Sequence, residues 1–208
     1  MLNFQKSERS TDERSAMTFD PRTFHPMVVT DTCAVWNVLS ARKLYHAAFA
    51  TRLTFCITPM VLYECVQKPR KVVTGEMAEL LTRLESVRKK GGFPLQACGL
   101  DDLMTVMRTA PTGLSSGELS CIAVAYHIST MAVMTDERQA RHFAREKLSL
   151  RVETTARLYG WLHFHMRLMD GDHSEIVAEH EKYERRPLTK FLNEAYESAL
   201  QYRLIEHQ

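Results

Sequence analysis

The stretch Met27-Val28-Val29-Thr30-Asp31-Thr32 decides how the rest of the chain is read. An apolar, β-branched run ends there in a carboxylate, and a helical pattern begins directly after it. An apolar run without polar alternation is what a parallel strand covered on both faces requires, because a half-exposed strand alternates. Asp31 then falls at the carboxyl end of that strand. On local grounds alone it also suits a helix cap or a turn, since Asp is favoured at both.

Similar junctions recur along the chain. Val35, Leu39 and Leu44 predict a helix from Cys33 to about Phe49. Leu53-Thr54-Phe55-Cys56-Ile57 predicts a second strand, and Thr58-Pro59 supplies a cap and a first-turn proline for a helix running through Glu64. Over residues 75–88 the side chains of Met77, Leu80, Leu81, Leu84 and Val87 share one helical face, and Gly91-Gly92 ends that helix. Leu95 to Leu100 is expected to form a short strand, and Asp101-Asp102 to start a helix that stops before Pro111. Ser115-Ser116-Gly117-Glu118 opens an apolar helix, Met131 to Met134 reads as a buried strand, and that strand ends at Thr135-Asp136. A basic helix carrying Arg138, Arg141 and Arg145 follows, then a strand over Leu148 to Val152 and a helix starting at Thr154-Thr155.

Strands alternating with helices predict an α/β fold of three layers, with a central, mostly parallel sheet flanked by helices. From about Leu158 the pattern is wholly helical, with breaks at Asp170-Gly171-Asp172 and Arg186-Pro187. The expected organisation is a poorly ordered leader over residues 1–25, one α/β domain over 26–162 and a helical extension over 163–208.

With 208 residues and 45% hydrophobic content the chain can bury one sizeable core. Its five cysteines are odd in number, dispersed and without a CxxC pair, which reads as reduced core thiols. No apolar run approaches the roughly 20 residues of a membrane span, and the polar N-terminus lacks the apolar middle of a secretory signal, so a soluble, cytoplasmic protein is expected. The formal charge of +2 neither demands nor excludes a nucleic-acid partner, which would need a local basic patch. No glycine-rich nucleotide loop follows a predicted strand. His163 and His165 are two apart and point different ways on a helix, and His173 with His180 lacks the close spacing of a zinc site.

In an open parallel sheet, loops and helix N-termini converge outside the carboxyl ends of the strands. Asp31 and Asp136 both follow strands, Glu118 lies in the first turn of its helix, and Glu64 lies about two turns into another. Together they could bring four carboxylates to one rim. Crowded carboxylates repel unless protons or cations compensate them, and Mg²⁺ or Mn²⁺ suits oxygen ligands and can activate water for phosphodiester hydrolysis. Residue by residue, plainer roles stay open: a cap for Asp31, an S-x-x-E capping box for Ser115 and Glu118, a cap for Thr135 or Asp136, and solvated surface for Glu64. Arg138, Arg141 and Arg145, with Arg42, Lys43, Arg70 and Lys71 beside the first two acids, could neutralise phosphates without reading sequence, or form an ordinary solvated face.

The ordered set Val28-Val29-Thr30-Asp31-Thr32, Thr58-Pro59-Met60-Val61-Leu62-Tyr63-Glu64, Gly117-Glu118 with Ile122-Ala123, and Thr135-Asp136-Glu137-Arg138-Gln139-Ala140-Arg141 resembles a PIN domain over about residues 27–162. The resemblance implies a PIN-fold endoribonuclease dependent on Mg²⁺ or Mn²⁺, often the toxin of a bacterial toxin-antitoxin pair. Carried over by position, Asp31, Glu64 and Glu118 take the first three acidic roles, with Glu118 where many members have Asp. Asp136 takes the fourth, with Glu137 as reserve and Thr135 as a hydroxyl contact. The implied partners are RNA, an antitoxin protein and a second copy in a homodimer. The alternative is a PIN-like binding or scaffold module without turnover. Residues from about Gly160 onward lie outside the resemblance.

Overall fold

A computed structural model of the chain describes residues 20–68, 74–183 and 187–206. Most of the expected leader and the basic pair Arg70 and Lys71 lie outside the described residues. Strands β1 (Met27–Thr30), β2 (Thr54–Cys56), β3 (Ala132–Met134) and β4 (Val152–Glu153) form one all-parallel sheet in the order β2-β1-β3-β4. Burial of β1 between two neighbours explains its unbroken apolar run: Val29 stands opposite Cys56 on one side and Val133 on the other. Val28 and Val29 are fully buried, and each such side chain contributes about 1.5–3 kcal/mol relative to exposure. The chain leaves β1 toward β2 and later returns on the other side as β3. The crevice at this reversal opens at the carboxyl ends of β1 and β3.

The helices are α1 (Thr32–Leu39), α2 (Arg42–Phe49), α3 (Pro59–Leu62), α4 (Gly75–Lys89), α5 (Leu100–Met107), α6 (Ser116–His127), α7 (Arg138–His142), α8 (Thr155–Phe164), α9 (His173–Tyr183) and α10 (Thr189–Glu206). Thr58 caps α3 by accepting from the Val61 N–H, and Pro59 fills the first turn where a missing N–H costs nothing. Both α3 and α7 widen into a π-helical turn, Tyr63–Gln67 and Phe143–Lys147.

Three expectations are corrected. The single helix from Cys33 to Phe49 is two, because Ala41 is extended (φ −119°, ψ 128°) and the carbonyls of Leu39 and Ser40 are taken by the Arg83 guanidinium, each at 2.8 Å. Leu95 to Leu100 forms no strand beyond an isolated bridge from Leu95 to Ile57, and α5 already starts at Leu100. The last strand lies at Val152–Glu153 rather than Leu148 to Val152, since the π-helical turn runs to Lys147 and Ser149 turns the chain at φ 53°.

Helix α6 lies against β1 and β3 and is buried along most of its length, so it lacks a polar stripe. Helix α8 runs without a break across residues 162 and 163 and packs along α10, which buries Leu192, Ala195 and Ala199. Helix α9 reaches α2 and α4 through Glu179, which accepts from the Arg83 guanidinium at 2.6 Å and from the Arg42 N–H at 2.7 Å. Among the described residues all five cysteines are free, and no helix is long and apolar enough to cross a membrane.

Candidate functional site

Register sets Asp31 level with Thr135, one residue before Asp136. Thr30 pairs with Met134, and the Asp31 N–H donates to the Met134 carbonyl at 3.0 Å, so Asp31 and the Thr135-Asp136 pair leave adjacent strands at the same level. Asp31 caps α1: its Oδ1 accepts from the Ala34 N–H at 2.8 Å. The cap role takes one oxygen and leaves the other. The other oxygen, Oδ2, is buried and has no hydrogen-bond partner. Burial drives the Asp31 pKa up to about 8, the neighbouring charges of Asp136 and Glu118 push the same way, and the Thr135 hydroxyl and the Ala34 N–H offset this only in part.

Glu64 comes from the π-helical turn after α3 and is buried. Its Oε1 accepts from the Ser116 hydroxyl and the Gly117 N–H, both at 2.9 Å, and its Oε2 from the Thr32 hydroxyl at 2.5 Å. The first turn of α6 thus closes on Glu64, and the approach requires glycine: a Cβ on Gly117 would lie 2.5 Å from Oε2. Glu118 forms the expected capping box, its Oε2 accepting from the Ser115 N–H at 2.6 Å while Ser115 Oγ accepts from the Glu118 N–H at 3.1 Å. Partial burial raises the Glu118 pKa, and the charges of Glu137 and Glu64 add to the rise.

Asp136 does not cap the helix that follows it. Its Oδ1 accepts from the Thr155 N–H at 2.9 Å, and its Oδ2 from the Thr155 hydroxyl at 2.5 Å and from Asn37 Nδ2 at 2.7 Å. It therefore braces the start of α8 against the end of α1. Thr135 is buried, and its hydroxyl accepts from the Glu137 N–H at 3.1 Å; the Glu137 side chain is exposed.

The donors are all oxygen, which suits a hard divalent cation, and the unpartnered Oδ2 of Asp31 is the atom such an ion would satisfy. Among the described residues, however, no three acidic, histidine or cysteine side chains are gathered tightly enough to hold a metal ion. The Glu64 and Asp136 carboxylates are engaged instead by hydroxyl, amide and backbone donors. Arg138 and Arg145 are exposed, whereas Arg141 is half-buried and donates to the Asp136 carbonyl. Arg42 and Lys43 are engaged elsewhere, Arg42 with Glu79 and Glu179 and Lys43 with Asp172 and Glu175. Thr32, Asn37, Ser116, Gly117 and Thr155 hold the acids, and the sequence reading assigned none of them that role.

An all-parallel α/β sheet with acids around the crevice where its strand order reverses defines the class. A family model described as a PIN domain matches residues 27–162, and the chain belongs to the PIN-domain family. PIN domains are generally nucleases and typically depend on divalent metal. No curated protein matches the chain.

Proposed function

We propose that the protein is a divalent-metal-dependent endoribonuclease in which Asp31, Glu64, Glu118 and Asp136 would hold Mg²⁺ or Mn²⁺, with Glu137 in reserve. The observation that carries this reading is the buried, unpartnered Oδ2 of Asp31 at the carboxyl end of β1. When bound, the ion would supply a Lewis acid and a water of lowered pKa. The chain's own residues do the rest. Asp31 presents one oxygen to the rim while the α1 backbone fixes the other. Thr32, Ser116 and the Gly117 N–H orient Glu64, and Asn37 and Thr155 orient Asp136. The exposed Arg138 and Arg145 offer positive charge to the RNA backbone without base readout.

Cleavage of single-stranded and structured RNAs, with and without Mn²⁺, by the native chain and by Asp31→Asn tests this. Metal-dependent cleavage lost in the variant is expected, and equal activity in both would overturn it. The dispersed acids favour a second reading, a PIN-like binding module without turnover. Calorimetric Mn²⁺ binding abolished by Glu118→Gln argues against that module. A narrower role as a toxin predicts growth arrest on expression, relieved by a co-expressed partner.

A further inference from the structure

The helical extension beyond residue 162 lies outside the family match, yet it reaches the end of α1 that faces Asp136. His180 of α9 is buried, and its Nε2 accepts from the Leu188 N–H at 2.8 Å. In the neutral ring that leaves the proton on Nδ1, which stands 2.6 Å from Ser40 Oγ and donates to it. Ser40 Oγ in turn donates to the Asn37 carbonyl at 2.7 Å. The Asn37 side chain, also buried, completes the path by donating from Nδ2 to Asp136 Oδ2 at 2.7 Å. Every donor and acceptor along this chain has its direction fixed, from the backbone of Leu188 to a carboxylate of the candidate site.

We propose that the C-terminal extension is a positioning element of the site, acting through His180 and Ser40 to hold the last turn of α1 so that Asn37 keeps Asp136 in place. Glu179 reinforces the same end, because it pairs with the Arg83 guanidinium that takes the α1 carbonyls. Asn37 is the only member of the path that touches a candidate site acid; His180 and Ser40 act through it. The catalytic part of the proposal rests on Asp136 serving the nuclease reaction, while the coupling itself does not.

Two substitutions at one position separate fastening from positioning. In His180→Asn the amide nitrogen takes the place of Nδ1 and keeps the bond to Ser40, whereas in His180→Gln the longer side chain keeps the bond to Leu188 and loses Ser40. Ser40→Ala cuts the path by deleting one oxygen and guards against misfolding of the histidine variants. The Asn37 side-chain amide resonance of the full chain, assigned with Asn37→Ser, reports the coupling without any activity. It is expected to move in Ser40→Ala and His180→Gln and to stay in His180→Asn. With an RNA substrate, kcat is expected to fall about tenfold to a hundredfold in the first two at unchanged KM, and to recover in His180→Asn. A resonance that stays put in Ser40→Ala, or identical behaviour of the two histidine variants, overturns the coupling. A native chain that cuts no RNA overturns the nuclease reading instead, and the resonance still decides the coupling.

Discussion

Gly117 and Glu64 occupy one another's space: the Gly117 N–H donates to Oε1 at 2.9 Å, and a Cβ on residue 117 would stand 2.5 Å from Oε2 and 2.9 Å from Cδ. The Glu64 carboxylate cannot simply swing aside, because Thr32 and Ser116 hold both its oxygens.

Gly117→Ala should therefore displace Glu64 and cost about 1–3 kcal/mol of stability through overpacking. Mn²⁺ affinity and RNA cleavage should fall with it. Gly75→Ala is the control, since a Cβ there meets nothing within 4 Å and the first residue of α4 accepts alanine without strain. Urea denaturation of both variants, with Mn²⁺ calorimetry, checks the contrast.

Asp31→Asn should separate stability from activity. The amide oxygen can still accept from the Ala34 N–H, while the cost of a buried carboxylate with one unpartnered oxygen disappears. Without added metal the variant should melt at or above the native temperature. Mn²⁺ should raise the melting temperature of the native chain and leave that of the variant unmoved. A variant that melts lower and still responds to Mn²⁺ would count against the role given to Asp31.

His163 predicts a loss of stability in acid. It is fully buried among Tyr159, His173 and Tyr196, both its ring nitrogens lack partners, and burial with the nearby His173 charge lowers its pKa to about 4. The unfolded chain takes up this proton as pH falls through about 6.5, whereas the folded chain resists until about 4. The contribution is thus intact above about 6.5 and is lost across that window, on the order of 3 kcal/mol in all. His163→Phe should flatten the loss, which melting curves between pH 7 and 4 would show.

Arg83 is 5% exposed and serves α1, α4 and α9 at once through Leu39, Ser40, Glu79, Glu179 and Tyr183. Arg83→Met should cost about 3–5 kcal/mol, because it strands the carbonyls of Leu39 and Ser40 together with two part-buried carboxylates. Arg83→Lys should recover only part of this, since a point charge cannot reproduce the planar fork. Chemical denaturation of the two variants orders them.

The fold was readable in the sequence because a buried parallel sheet writes itself as short apolar runs, and Val28, Val29 and Met131 to Met134 carry no competing pattern. Asp31 and Asp136 follow such runs, but plainer roles stayed open for each acid, and it was the resemblance of the ordered set that made them candidates. The residues that hold them were not readable. Asn37 looks like an ordinary polar position in a short helix, and Gly117 like a neutral capping-box spacer, until Asp136 and Glu64 arrive from distant segments. The break at Ser40 was hidden for the same reason: Arg83, forty-three residues away, takes the carbonyls that would have continued the helix. A signal for Gly117 did exist, since a glycine inside a helix start has a cost that usually reflects close approach by something else.

Because β1 and its neighbour β3 lie far apart along the chain, the newly made chain carries Asp31 long before the strand beside it exists. At ordinary rates of synthesis, roughly ten seconds separate the appearance of Asp31 from that of Thr155, which fixes Asp136. Until then the opening segment has neither its β3 neighbour nor the brace at α8. A ribosome making this protein is thus handling a chain whose candidate acids are still apart, and they can come together only once the segment through Thr155 has been made.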